Sequence, residues 1–317
     1  MKVMNDFEKI LAYKHWRQRI PMGDGRVSQG YILHPDEWAL NHLPARMDGK
    51  SFLDVGANDG YFVFDAERRG AKRMVATDLY YDGVSGNMGG WNSTGITLMK
   101  NYLHSNVQIT PKSIYDIQEL GETFDCVLCT NVLSWLDNPN LGLQRLSEVC
   151  NETLYLKDGF LMRYDPEPVL QYERAKNLVN FRANLSYVKT LLQAHGFKRI
   201  EVIPYYLHTP FEWQLENIPM VTTQTAVSVF ELPNAGSTAQ SMNCHKAWVT
   251  GEEGDFWFVR NLGWVKKSDV TITPRGKRSL INRLIRAILP EAAYGYYIRK
   301  RGTETYVKSH MISAHKH

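Results

Sequence analysis

Residues 51–62, Ser-Phe-Leu-Asp-Val-Gly-Ala-Asn-Asp-Gly-Tyr-Phe, are an apolar run that breaks into a short loop holding two glycines and two carboxylates. Phe52, Leu53 and Val55 have the character of a buried strand end, and Gly56 with Gly60 permits a tight turn into a helix. A strand that turns at glycines into a helix is a place where a ligand meets backbone. A dinucleotide fingerprint needs G-x-G-x-x-G around a pyrophosphate, whereas the spacing here is Gly56-x-x-x-Gly60. Asp54 and Asp59 add negative charge to the loop, which favours a ligand carrying an ammonium or sulfonium group over a phosphorylated one.

Outward from this loop, residues 50–208 alternate strand-like and helix-like segments, the pattern of a doubly wound α/β sheet with helices on both faces. Strands are expected at 51–55, 73–77, 107–110, 126–130, 153–156 and 200–203. Helices are expected at 60–69, 98–103, 141–150 and 186–195, with Gly70 and Gly196 as stops. In such a sheet, ligands bind beyond the carboxyl ends of the strands, where Gly56, Asp78, Asp116 and Asn131 then converge. Asp78 lies some twenty residues past the glycines at a strand end, where a carboxylate accepts hydrogen bonds from both ribose hydroxyls. Asp116 is placed to read an adenine amino group.

Composition narrows the class. With 317 residues, 44% hydrophobic and 22% charged, the chain has enough apolar material for a full core. The first residues show no apolar signal region and no apolar run reaches the ~18 residues that span a bilayer, so a cytoplasmic protein without a transmembrane segment is expected. Four cysteines do not make a secreted disulfide framework. Cys126 and Cys129 form a C-x-x-C within a strand pattern, where positions three apart face opposite sides, and no metal site is expected there. The net charge of +4 comes largely from the last forty residues.

With these residues in place, the sequence resembles the class I S-adenosylmethionine-dependent methyltransferases over roughly residues 40–205, with Leu53-Asp-Val-Gly-Ala-Asn-Asp-Gly60 as glycine motif and Asp78 as ribose acid. A closer likeness, to about Glu252, is to the tRNA wobble-uridine carboxymethyltransferase-like group; Val132-Leu133-Ser134-Trp135 stands where that group carries Val-Leu-Tyr-His. The resemblance implies a Rossmann-like core at residues 50–205 and S-adenosyl-L-methionine as cofactor. It implies a cofactor set of Asp54, Gly56, Ala57, Asn58, Gly60, Asp78, Leu79, Ile114, Tyr115, Asp116 and Asn131.

Methyl transfer from a sulfonium is an in-line displacement that needs orientation and exclusion of water, and a base only where the acceptor loses a proton. Asp158, after the fifth strand, and His208 are the candidate bases, and Trp135 is placed to wall the methyl pocket or to cover the end of the fourth strand. The acceptor is expected to be a small molecule, methylated on O, S or N and enclosed by a helical cover at residues 1–49 and an insertion with hairpin at 206–262. A tRNA or glycan acceptor is the alternative. Nucleic acid is not the expected partner, because the basic residues gather at 266–267 and 275–301, remote from the loop. Residues 263–317 form a basic extension, in which 280–289 read as an amphipathic helix docking on the body or on a second copy of the chain. His310, His315 and His317 read as unordered tail residues rather than ligands.

Overall fold

The computed structural model describes residues 4–30, 39–79, 93–160, 167–175, 178–206, 220–222, 227–234, 236–237, 239–242, 247–259, 263–273 and 308–317. In chain order, α1 (Asp6–Ala12) precedes β1 (Ser51–Val55), α2 (Tyr61–Arg68), β2 (Arg73–Asp78), α3 (Thr94–Leu103), β3 (Gln108–Pro111) and a 3₁₀ turn at Ile114–Leu120. Then come β4 (Phe124–Thr130), α4 (Pro139–Val149), β5 (Cys150–Gly159), β6 (Leu170–Ala175), β7 (Leu178–Ala183), α5 (Leu185–Ala194) and β8 (Arg199–Tyr206). Seven shorter strands follow: β9 (Met220–Thr222), β10 (Val227–Phe230), β11 (Ala239–Met242), β12 (Ala247–Glu253), β13 (Phe256–Val259), β14 (Gly263–Lys266) and β15 (Thr271–Thr273). The last described strand is β16 (Lys308–His315).

Two compact units divide the chain. The first takes Asp36–Lys100, His104–His208 and Val307–His317. Its sheet has the order β3-β2-β1-β4-β5-β16-β8. Neighbours run parallel from β3 through β5. β16 alone is antiparallel to both strands beside it. This is the doubly wound α/β sheet that the alternation predicts, with its strand order reversing between β1 and β4, the point at which such sheets bind ligands. The core is aliphatic because parallel strands are covered on both faces. Leu53, Val75, Val127, Leu154 and Leu156 are buried there together with Ile312 of β16.

Local chemistry explains the helix ends. The Asn138 side chain accepts from Leu141 N at 3.1 Å and Pro139 opens α4, so the helix starts two residues before the apolar periodicity does. Asn184 caps α5 by accepting from Tyr187 N at 2.8 Å. α2 has no side-chain cap; Gly60, at φ +91°, turns the chain into it.

The tail corrects one expectation. The segment carrying His310 and His315 is an ordered strand in the interior of the sheet. Met311, Ile312 and Ala314 are buried, while Nδ1 of His315 lies 3.1 Å from the Thr153 hydroxyl. This strand shows no polar–apolar alternation and pairs with partners more than a hundred residues away, so nothing near it in sequence announces it. Residues 280–289, His208 and the segment 207–219 lie outside the described residues.

The second unit takes Met1–Pro35, Asn101–Leu103 and Thr209–Tyr306. It contains an antiparallel sheet in the order β11-β10-β14-β13-β12-β9-β15. Its β12–β13 hairpin lies within the 206–262 segment where a hairpin is expected, with Glu253 opposite Phe256. Leu11, Phe230, Phe256 and Trp264 make its small core, and Trp264 Nε1 donates to Leu11 O at 2.6 Å. No helix among the described residues is long and apolar enough to cross a membrane.

Candidate functional site

The glycine turn is held from within the protein. Gly56 N and Ala57 N both donate to Thr77 O, at 2.8 and 3.0 Å, so the carbonyl at the end of β2 fixes the chain as it leaves β1. Gly56 has φ +81°, and a Cβ there would fall 2.4 Å from Cγ2 of Val132. The glycine is therefore required by the loop after β4 as well as by its own backbone angle. A Cβ on Gly60 would meet Phe64 at 2.6 Å and Ile96 at 2.9 Å. Asn58, at φ +50°, donates its N–H to Asp78 Oδ2 at 2.9 Å. The ribose acid of the sequence reading is thus bonded to the turn itself, twenty residues upstream.

Three carboxylates converge at the strand ends. Asp54 is fully buried, level with Ala76 of β2 and Leu128 of β4. Asp158 is buried near the end of β5, where Ser134 N donates to Oδ2 at 3.2 Å and Gly159 N to Oδ1 at 2.7 Å. Burial pushes the Asp158 carboxyl above its ordinary value, and those hydrogen bonds oppose the shift without cancelling it. Between them in the sheet sits Cys129, whose thiol is held well above its usual range, first by burial and then by the charges of Asp158, Asp54 and Asp78. Asn131, at φ +55°, donates its N–H to Lys157 O at 2.7 Å and so ties the exit of β4 to β5.

The remaining sequence candidates are less uniform. Leu79 is 42% exposed just past β2. Ile114 is buried at the start of the 3₁₀ turn. The Tyr115 hydroxyl donates to Asp137 and accepts from Asn138 N at 2.9 Å; burial, then Asp137, moves its pKa up to about 12. Tyr115 thus steadies the start of α4. Asp116 is exposed on the same turn. Trp135 is 46% exposed, with its N–H bonded to Val132 O at 2.9 Å.

Sequence reasoning missed what lies beside Asp158. A cleft is lined by Leu133, Ser134, Asp158, Phe160, Leu170 and Tyr187, among others. Its wall includes the open end of the β6–β7 hairpin, where Leu170 pairs with Ala183. Asn184 anchors that hairpin: its Oδ1 accepts from Val169 N at 3.0 Å, and its Nδ2 donates to Glu167 O at 2.8 Å. A buried asparagine that caps a helix and closes a hairpin is a detectable signal, but only once the hairpin is known. Lys157 is also buried here, one residue from Asp158. Among the described residues no cluster of His, Cys, Asp and Glu has the makings of a metal site.

Comparison with known proteins bears on this geometry. The family model described as a methyltransferase domain matches residues 35–202. A tRNA U34 carboxymethyltransferase of Campylobacter hominis is 24% identical over 204 residues, covering 61% of this chain and 66% of that protein. One of the same name from Helicobacter pylori is 25% identical over 225 residues, covering 65% of this chain and 78% of that one. Among solved structures, the N-terminal domain of EvdMO1 with SAH bound is 18% identical, covers 60% of this chain and 85% of that chain, and superposes with a TM-score of 0.48.

Proposed function

This chain belongs to the methyltransferase-domain family, and from that premise we propose that it transfers the methyl group of S-adenosylmethionine to an oxygen, sulfur or nitrogen atom of a small-molecule acceptor. The observation that carries the proposal is the convergence of Asp54, Asp78 and Asp158 on the strand ends around Cys129. A unit charge about 4 Å from a carboxylate in a partly buried site gains or loses on the order of 4 kcal/mol according to its sign. Such a site repels a pyrophosphate and attracts a sulfonium or an ammonium.

The residues present fit S-adenosylmethionine. Asp78 at the end of β2 is the ribose acceptor, and the turn Gly56–Gly60 offers backbone at close range. Asp54 supplies negative charge from within β1. The cofactor brings a methyl group already activated on a positively charged sulfur. What the chain contributes is position, charge and dryness. Asp158, its pKa raised by burial, is the base for an acceptor that must lose a proton, such as a hydroxyl; a thioether acceptor leaves it without that task. Leu133, Phe160 and Leu170 give the surroundings of Asp158 an apolar character.

Calorimetry of the full chain with S-adenosylmethionine and separately with NAD tests the cofactor: binding of NAD and none of the sulfonium ends the reading. Supplying labelled methyl donor together with a metabolite extract freed of RNA, and in parallel with total tRNA, tests the acceptor. Label is expected in the small-molecule fraction. A second reading, transfer to tRNA, is favoured by the names of the curated relatives. Label in the tRNA fraction alone would establish it.

A further inference from the structure

The second unit holds a cavity of about 270 Å³, walled by α1, by the hairpin-like segment 18–29 and by the turn-proximal end of β12. By the ~30 Å³ share of one water in the liquid, that is room for about nine waters or a small organic molecule. Its apolar walls come from Phe7, Leu11, Met22 and Val27. Two polar side chains on the wall stand out. Gln29 is only 5% exposed, and its Oε1 is buried without a hydrogen-bond partner. Arg19 is half-buried, and loss of solvent lowers the pKa of its guanidinium. No carboxylate pairs with Arg19 among the described residues.

Of the other charges around the cavity, Arg26 and Glu252 are matched, while Glu253 on the same wall makes no ion pair among the described residues. Arg26 is bonded to Asp24, with Nε to Oδ2 at 2.8 Å, and its guanidinium lies 3.7 Å over the Phe7 ring. Lys267 is paired with Glu252. Glu253 adds its field to Arg26. The frame is stiff: the Ser28 hydroxyl donates to Gln18 O and accepts from Ile20 N, both at 2.8 Å, and Gly30 packs so tightly on Gln18 that a Cβ would fall 2.1 Å from its carbonyl oxygen. A rigid, largely apolar cavity with one partly desolvated guanidinium that makes no ion pair, and a buried amide, is matched to a ligand with an apolar body and one planar anionic head.

We propose that this cavity is a binding site for a small organic monocarboxylate, gripped by Arg19 through its planar fork and seated against Phe7, Leu11 and Met22. The proposal is separate from the methyl-transfer reading, and its test reads binding rather than turnover. The full chain is titrated with benzoate, phenylacetate and hexanoate, with benzyl alcohol as the neutral control and phenyl phosphate as the dianionic one, by ligand-observed NMR and calorimetry. At least one carboxylate is expected to saturate a single site in the millimolar range or below. Arg19→Gln is expected to weaken it about tenfold or more, Arg19→Lys less, and benzyl alcohol is expected not to compete. S-adenosylmethionine binding, measured on the same samples, is expected to stay unchanged. Should Arg19→Gln not fold, Val27→Trp, which fills the cavity from its exposed rim, is expected to abolish carboxylate binding instead. The proposal is overturned if no carboxylate binds the folded chain at millimolar concentration, or if binding is indifferent to these substitutions. It is overturned equally if phenyl phosphate binds more tightly than every carboxylate.

Discussion

Two parts of the same sheet are built in opposite ways. The turn from β1 to α2 is local: within residues 51–61 a buried strand, two glycines at positive φ and the start of a helix follow one another, and Asp78 closes the turn from the next strand. The place between β5 and β8 is filled from the far end of the chain, where Lys308–His315 pairs with residues 153–159 on one side and 199–206 on the other. The first arrangement concentrates the proposed cofactor contacts in a dozen residues. The second contributes burial and sheet closure, and no residue of it was singled out for cofactor or acceptor. Stability and ligand binding are therefore expected to separate when the two parts are perturbed in turn.

The largest effect is expected from the β16 side. Ile312 is fully buried against the strands of the central core, and Ile312→Ala should cost about 2–5 kcal/mol in denaturant-monitored unfolding, with affinity for S-adenosylmethionine unchanged in the fraction that remains folded. A loss under 1 kcal/mol would mean that β16 is an ornament on the sheet. Gly56→Ala strikes the other side and should lower both quantities. Left-handed backbone costs an alanine about 1–2 kcal/mol. The 2.4 Å approach to Val132 adds a clash that moves the loop after β4. Normal cofactor binding by a folded Gly56→Ala chain would separate the turn from the site.

Asp78→Ala should remove ribose contacts and the anchor of Asn58 N together, weakening cofactor affinity by about 1.5–3 kcal/mol, or ten- to a hundredfold, with a smaller loss of stability. Calorimetry that finds affinity within twofold of the parent would take Asp78 out of the site. The smallest expected effect is on pH dependence. The folded-state pKa of Asp158 is raised by burial, so the stability linked to it is complete below the ordinary carboxylate value of 3.8 and is lost as pH climbs from there to the folded value. Asp158→Asn should therefore unfold at higher denaturant than the parent at pH 7, relative to the same pair at pH 3.5. If transfer goes to a hydroxyl, the variant should also lose the rise of rate with pH. A stability difference that does not change between the two pH values would show that the carboxyl is not strained by burial.

Legibility in the sequence follows the same division. Asp54, Gly56, Gly60 and Asp78 could be read because a strand, a glycine turn and a strand-end acid follow within thirty residues, and each has a local conformational cause. Asp158 could be named as a strand-end carboxylate, yet the two backbone donors that hold it come from Ser134 in the loop after β4 and from Gly159, the last residue of β5. The β6–β7 hairpin was not legible as a wall of the cleft, since its position depends on Asn184, a residue that reads locally as no more than a helix cap. The resemblance places Tyr115 in the cofactor set; its hydroxyl bonds to Asp137 and Asn138, a link between the 3₁₀ turn and the start of α4 that its place in the sequence does not announce.

What the sequence by itself determined is the part of the molecule governed by short-range rules: the alternation of strand and helix, the stops at glycine, and the acidic character of the first turn, because backbone angle and hydrophobic period act between near neighbours. What only the tertiary structure decided is which strand fills the gap beside β5, which side chains share a cavity, and which charges lose their water. Those outcomes depend on contacts across more than a hundred residues, as between Ile312 and Leu156 or between Trp264 and Leu11. A short segment such as residues 308–315, with adjacent buried Met311 and Ile312, carries no period that selects one edge until the rest of the sheet leaves one place open.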